Sequence, residues 1–221
     1  MYLPPHFTAP DAGEVAAFVD AVAAADLVTF DGTKPVASLI PIIWDHDAGQ
    51  RSDTGNHGRL LGHLALANPQ WESVTAGTTA LAIVHGPQAY VSPSWYPSTR
   101  QHGRVVPTWN YTSVHFTGPV TFHRDAGWLR DIVTRLTEQH EHDRDHRWWV
   151  QDAPAAYIEG QLRGIVGIEM LVQDVQAKAK LSQNRSPADQ AGAIAGLRGV
   201  PDPGAQAVAD LMQASEASPD G

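Results

Sequence analysis

The run Ala80-Leu81-Ala82-Ile83-Val84, the punctuation His85-Gly86-Pro87 and the run Ala89-Tyr90-Val91 set a pattern that repeats through the middle of the chain. Short runs rich in apolar, β-branched and aromatic residues end at turn-forming residues, as strands do. The same pattern picks out Leu27–Phe30, Val36–Ile43, Arg59–Leu64, Thr108–Phe116 and Val120–Phe122, with turns expected at Asp31-Gly32, His85-Gly86-Pro87 and Gly118-Pro119. Strands this short and closely spaced suit an antiparallel barrel better than alternating βαβ units. Helices flank them. Asp11 and Glu14 have capping-box spacing, and Val15, Phe18, Val19 and Val22 recur at helical intervals, which predicts a helix over 11–26. A second helix is expected over 125–140, with Leu129, Ile132, Val133 and Leu136 on one face, and Pro154 opens a third. Ile165–Val175 returns to strand, and Ser186 caps a last helix with Pro187 in its first turn. Residues 45–58 read as an exposed loop and 215–221 as a frayed end. The chain reads as an α+β domain over 1–199 with a helical extension and tail over 200–221.

The composition narrows the function. Among 221 residues, 15 Lys and Arg face 24 Asp and Glu, a net charge of −9, so the mean field repels phosphate backbones and anionic lipid. No basic face or helix-turn-helix can be placed, and direct nucleic-acid binding is not expected. Hydrophobic residues make up 43% of the chain, which belongs to a globular domain and not to a disordered one. The absence of cysteine excludes disulfides, thiolate metal sites and a cysteine nucleophile. No apolar run reaches the ~18 residues of a membrane span, and no basic residue precedes Lys34 as a signal peptide would require. The expectation is a soluble cytoplasmic protein without a membrane partner.

Neither GxxxxGK[ST], GxGxxG nor GxSxG occurs. The segment His140-Glu141-His142-Asp143-Arg144-Asp145-His146 offers many metal donors, yet it follows a helix end and mixes charges, so a solvated connector is the stronger reading. Asp45-His46-Asp47 is read the same way. More informative are Ser92-Pro93-Ser94-Trp95-Tyr96-Pro97 and Thr108-Trp109-Asn110-Tyr111. Both pair Trp and Tyr with small hydroxyl or amide side chains, the lining a planar ligand needs. Aromatic packing in a barrel core accounts for them equally well. On a strand, Thr108, Asn110 and Thr112 share one face while Trp109, Tyr111 and Ser113 share the other. Lys178, Lys180 and Arg185 place three cations in eight residues, a group that can attract phosphate or carboxylate or stand as ordinary surface charge. His63, alone in the apolar run Leu61-Gly62-His63-Leu64, reads first as a hydrogen-bonded core residue.

Five segments together resemble the PaiB family of FMN-binding negative transcriptional regulators: Met1-Tyr2-Leu3-Pro4-Pro5-His6-Phe7, Gly62-His63 through Asn68-Pro69-Gln70-Trp71, His85 through Pro97, Val106 through Tyr111, and Lys180-Leu181-Ser182-Gln183-Asn184-Arg185. They fall in order over residues 1 to about 198. The resemblance implies a split β-barrel with flanking helices, a homodimer with cofactor sites at its interface, and a small-molecule substrate. It implies a cofactor-binding set of His63, Thr108, Trp109, Asn110, Tyr111, Lys180, Ser182, Gln183 and Arg185.

The wider superfamily also contains haem-dependent piperazate synthases, which join two nitrogens, and alignment with them makes His63 the iron ligand. Two departures bear on the cofactor. Leu66 stands where PaiB proteins carry Arg or Lys, and Leu39 stands where they carry His. Losing a cation that serves the FMN phosphate weakens that assignment, while the strand histidine is retained. Haem b on His63 is therefore the favoured expectation, in an enzyme acting on a small nitrogenous metabolite. FMN in a regulator or flavin oxidoreductase is the alternative.

Overall fold

A computed structural model describes residues 1–8, 11–46 and 57–217. In chain order it comprises α1 (Ala12–Val22), β1 (Ala24–Phe30), β2 (Pro35–Asp45), β3 (Arg59–Ala65), β4 (Thr79–Val91), α2 (Pro97–Gln101), β5 (Thr108–His123), α3 (Ala126–Glu141), α4 (Ala155–Leu162), β6 (Ile165–Leu171), β7 (Asp174–Lys180), α5 (Pro187–Arg198) and α6 (Pro203–Ala217). The strands form one sheet in the order β4-β1-β2-β3-β6-β5-β7, and β4 also pairs with β5. The β1–β2, β1–β4, β2–β3, β3–β6 and β5–β6 pairings are antiparallel.

The chain divides into two compact units, and β4 and β5 each run on from one into the other. The first comprises 1–15, 85–114 and 176–221; the second comprises 16–84 and 115–175. In the second, Leu27, Ile40, Ile42, Phe116 and Ile168 are almost wholly buried. Helix α3 starts where the Asp125 carboxylate accepts from the Trp128 amide at 2.8 Å, and it lays Leu129, Ile132 and Leu136 inward. Ile132 and Leu136 pack on Leu61 of β3. In the first unit, Ala89, Val91, Tyr96 and Leu181 pack with Ala193, Ile194 and Leu197 of α5 and with Ala205, Val208, Ala209 and Met212 of α6. Ser186 caps α5 as its sequence predicts, its hydroxyl accepting from the Asp189 amide.

Four expectations need correction. The first helix ends at Val22 and not at Asp26: Ala23 takes φ 51°, and Ala24–Asp26 pair with Pro41–Leu39 of β2. His85-Gly86-Pro87 is no turn, because β4 passes straight through it. Gly118-Pro119 is no turn either. A Cβ on Gly118 would stand 1.9 Å from the Leu171 carbonyl oxygen, so this glycine serves a close backbone approach inside β5. The single run over 165–175 becomes two strands separated at Val172 and Gln173, whose amides donate to Gly58 and Thr117 carbonyls at 3.0 and 2.9 Å. At 24–26 pairing with β2 overrides the helical pattern, and at 85–87 and 118–119 strand pairing overrides local turn preference. Positions 47–56 of the expected 45–58 loop, and 218–221 of the expected frayed end, lie outside the described residues.

Candidate functional site

Strand β7 ends with Lys178 and Lys180 two residues apart, and a strand's period of two puts both on one face. Lys178 is buried, at 8% exposure. Its Nζ donates to the Tyr2 carbonyl at 3.0 Å and lies 5.3 Å from the centre of the Tyr111 ring. The first residues are brought there by a bridge between Thr8 and Lys178. Lys180 Nζ donates to Thr108 Oγ1 and to the Trp109 carbonyl, and sits 6.0 Å from the Phe7 ring centre. Burial first, then the charges of Lys178 and Arg185, push the Lys180 ammonium below its usual value. Arg185 holds its guanidinium 5.0 Å over the Tyr96 ring. Among the described residues no carboxylate lies within ion-pair distance of any of these three cations. Like charges so gathered are costly unless an anion joins them.

The structure sorts the other expected residues by what their polar groups already do. Asn110 is fully buried, and its amide exchanges hydrogen bonds with Ser182 at 3.0 and 3.1 Å while also donating to Met212 Sδ at 3.3 Å. Ser182 holds φ 68°, a conformation that side chains other than glycine seldom adopt, so this bond pins the bend after β7. Gln183 closes the same bend, accepting from the Leu181 amide at 2.8 Å and donating to the Ala179 carbonyl at 2.6 Å. These three hold the bend that carries Arg185. Trp109 is 54% exposed, with Tyr90 meeting it edge-on at 6.4 Å, and Tyr111 is half-buried. The outward side of this stretch is therefore aromatic and bordered by cations. Two buried hydroxyls in the same unit, Tyr96 OH and Thr112 Oγ1, lack a hydrogen-bond partner among the described residues.

His63 belongs to the other unit. It stands on β3 opposite Gly167 of β6, two residues beyond Leu61, and so on the face that α3 covers at Leu61. Among the described residues its ring makes no hydrogen bond or ion pair, and burial pushes its pKa below the usual 6.5. The imidazole is held neutral. His123 also stands opposite Gly167, with Nε2 2.9 Å from Glu169 Oε2 and its ring stacked 4.3 Å from Trp128. Among the described residues no group of three His, Asp or Glu could hold a metal ion, and the His142 ring meets the exposed Asp143 carboxylate at 2.8 Å and the Gln139 carbonyl at 2.9 Å.

Tyr2, Phe7 and Lys178 join the cluster without having been placed in the expected set. Lys178 carried a readable signal, its spacing from Lys180 on a strand. Tyr2 and Phe7 carried none, because long-range contacts such as the Thr8–Lys178 bridge and the Lys178–Tyr2 hydrogen bond bring positions so far apart together.

A family model described as "Putative FMN-binding domain" matches residues 1–174. "Protease synthase and sporulation protein PAI 2" of Bacillus subtilis is 35% identical over 214 residues, covering 96% of this chain and 97% of that one. Among solved structures, an FAD and haem binding protein from Mycobacterium smegmatis superposes with a TM-score of 0.54 at 14% identity, over 78% of this chain and 73% of that one. The flavocytochrome Anf3 of Azotobacter vinelandii does so with a TM-score of 0.51 at 12% identity, over 78% and 69%.

Proposed function

Since the chain belongs to the PaiB family of FMN-binding proteins, we propose that it is a flavin-binding protein of the split-barrel class that holds FMN with its phosphate against Lys178, Lys180 and Arg185. The observation that carries this reading is the gathering of three cations with no ion pair among the described residues, the nearest counter-charge being Asp189, whose carboxylate feels Arg185 but is already engaged by the Ser98 amide and hydroxyl. It reverses the order expected from sequence, because in this reading the phosphate is served by cations of β7 and the bend after it and needs none at position 66. The closure of the strand order by the β4–β5 pairing supports the split-barrel reading.

In this reading each residue has a distinct task. Lys180, oriented by Thr108 and the Trp109 carbonyl, gives a charge-assisted hydrogen bond to a phosphate oxygen. Arg185 is positioned by the Asn110–Ser182 pair and Gln183. Trp109 and Tyr111 offer aromatic area to the ring system, and the partnerless Tyr96 and Thr112 hydroxyls are donors in reserve. Bound FMN supplies hydride and electron transfer; the chain supplies anchoring and orientation. The net charge of −9 supports action through a small molecule in preference to contact with DNA.

A second reading rests on its own observation. The His63 imidazole, its pKa lowered by burial and its nitrogens without a hydrogen bond among the described residues, is in the state that haem iron requires of a ligand, which supports a haem-dependent enzyme on a nitrogenous metabolite. The absorption spectrum of the purified chain separates the two: flavin bands are expected, and a Soret band lost in His63→Ala establishes the second reading instead. In FMN titrations, Lys180→Gln should weaken affinity by about ten- to a hundredfold, the worth of one charge-assisted hydrogen bond. Unchanged affinity in that variant would overturn the phosphate assignment.

A further inference from the structure

A second group of cations lies wholly within the other unit, around a cavity of about 650 Å³ between the start of α3, the end of α4 and the start of β6. Arg124, Arg130 and Arg163 border it, and Leu129, Leu162 and Ile165 line its apolar side. Leu129 and Leu162 are at the same time core residues, packed with Val150 and Ile158, so this wall is firm. One carboxylate, Glu159, also borders the cavity. Among the described residues neither Glu159 nor any other acid stands within ion-pair distance of the three guanidiniums. Arg124 is instead steadied 5.8 Å over the Trp71 ring, whose Nε1 donates to the Leu66 carbonyl at 2.9 Å.

In a chain with only 15 Lys and Arg against 24 Asp and Glu, three unpaired arginines around one concavity are not accounted for by the general surface. Low-dielectric walls focus such a field into the cavity. Guanidinium is the planar, forked donor that matches carboxylate and phosphate oxygens two at a time. The apolar side has no use for a bare inorganic ion but suits the body of a larger molecule. The geometry points to a binding site for a soluble organic anion, a carboxylate or phosphate carried on an apolar chain or ring, separate from the flavin cluster. Its head group lies against the arginines and its body against Leu129, Leu162 and Ile165.

Isothermal titration of the full-length chain with octanoate and with octyl phosphate tests this, alongside inorganic phosphate, FMN and phosphatidylglycerol vesicles. One saturable site is expected for the two amphiphiles, bound at least tenfold more tightly than inorganic phosphate and not displaced by FMN. Arg130→Gln and Arg163→Gln should each lower affinity about tenfold, with the melting temperature unchanged because both side chains are exposed. Arg163→Lys should retain part of the affinity. Equal binding by the glutamine variants, equal affinity for inorganic phosphate, displacement by FMN, or capture by vesicles without binding of the soluble amphiphiles would each overturn the site. Displacement by FMN would place flavin here, whereas Lys180→Gln reports on the flavin cluster independently.

Discussion

His63 and Lys180 are both shifted by burial, and in the same direction on the pH scale, with opposite meaning for what each can do. A buried histidine whose pKa is lowered stays neutral at neutral pH and keeps a lone pair available. Burial, with the charges of Lys178 and Arg185, lowers the Lys180 ammonium from its usual value, and an arriving phosphate relieves that repulsion. FMN affinity is thus expected to fall as alkaline pH removes the Lys180 proton. For His63 the consequence is one of stability. Between its folded pKa and 6.5 the unfolded chain binds more protons than the folded one, so stability is full above 6.5 and is lost as pH falls through the folded value. Urea midpoints measured from pH 7.5 to 5 should decline less steeply in His63→Gln than in the parent. Parallel declines would show that burial of this ring is not linked to folding.

At the scale of elements, α5 shows how glycine can be a packing residue. Within an exposed helix, glycine to alanine gains up to about 1 kcal/mol from propensity alone. Gly192 and Gly196, one turn apart on α5, face Trp95: a Cβ on Gly196 would lie 2.1 Å from Trp95 Cδ2, and one on Gly192 would lie 2.2 Å from the Trp95 carbonyl oxygen. The sign therefore inverts. Gly196→Ala should destabilise by about 1–3 kcal/mol through overpacking. Gly160→Ala on α4, where the nearest atom is Arg163 Nη2 at 3.8 Å, should be neutral or stabilising. Chemical denaturation of the two variants checks the contrast, and a stable Gly196→Ala would mean that Trp95 can turn away. Trp95 belongs to the aromatic segment that the sequence reads equally as a ligand wall or as core packing, and here it meets the helix.

The whole molecule carries a surface that a lone chain leaves costly. Trp109 and Tyr90, 54% and 48% exposed, lie edge to edge beside the cation cluster. Large aromatic residues at such exposure mark binding or association surfaces. The family resemblance implies a homodimer with cofactor sites at the subunit interface, and this aromatic pair is consistent with a second copy there. Light scattering behind size exclusion should give twice the chain mass, and Trp109→Glu should shift it toward the monomer. A chain that stays monomeric at high concentration would remove the interface from the flavin reading. Among the described residues no helix is long and apolar enough to cross a membrane, in line with the lack of such a run in the sequence.

Local order was legible wherever a signal acts over a few residues. The Ser186 cap, the apolar face of α3 and the β-rich runs of β1 to β3 follow from hydrogen bonding, periodicity and residue type inside one element, and the charge balance needs no structure at all. Lys180 and Arg185 could be singled out because they are near in sequence. What only the tertiary structure decided are the events that depend on a distant partner. Gly86-Pro87 and Gly118-Pro119 carry turn chemistry, yet strand pairing holds β4 and β5 extended through them. Asn110 and Ser182, both in the cofactor set that the family resemblance implies, bond to each other across 72 positions. Tyr2 reaches Lys178 across nearly the whole chain, and Arg124, Arg130 and Arg163 meet around one cavity only because α3, α4 and β6 converge. Periodicity and propensity are local quantities, whereas desolvation, charge clustering and close packing belong to residues that meet only in the folded chain.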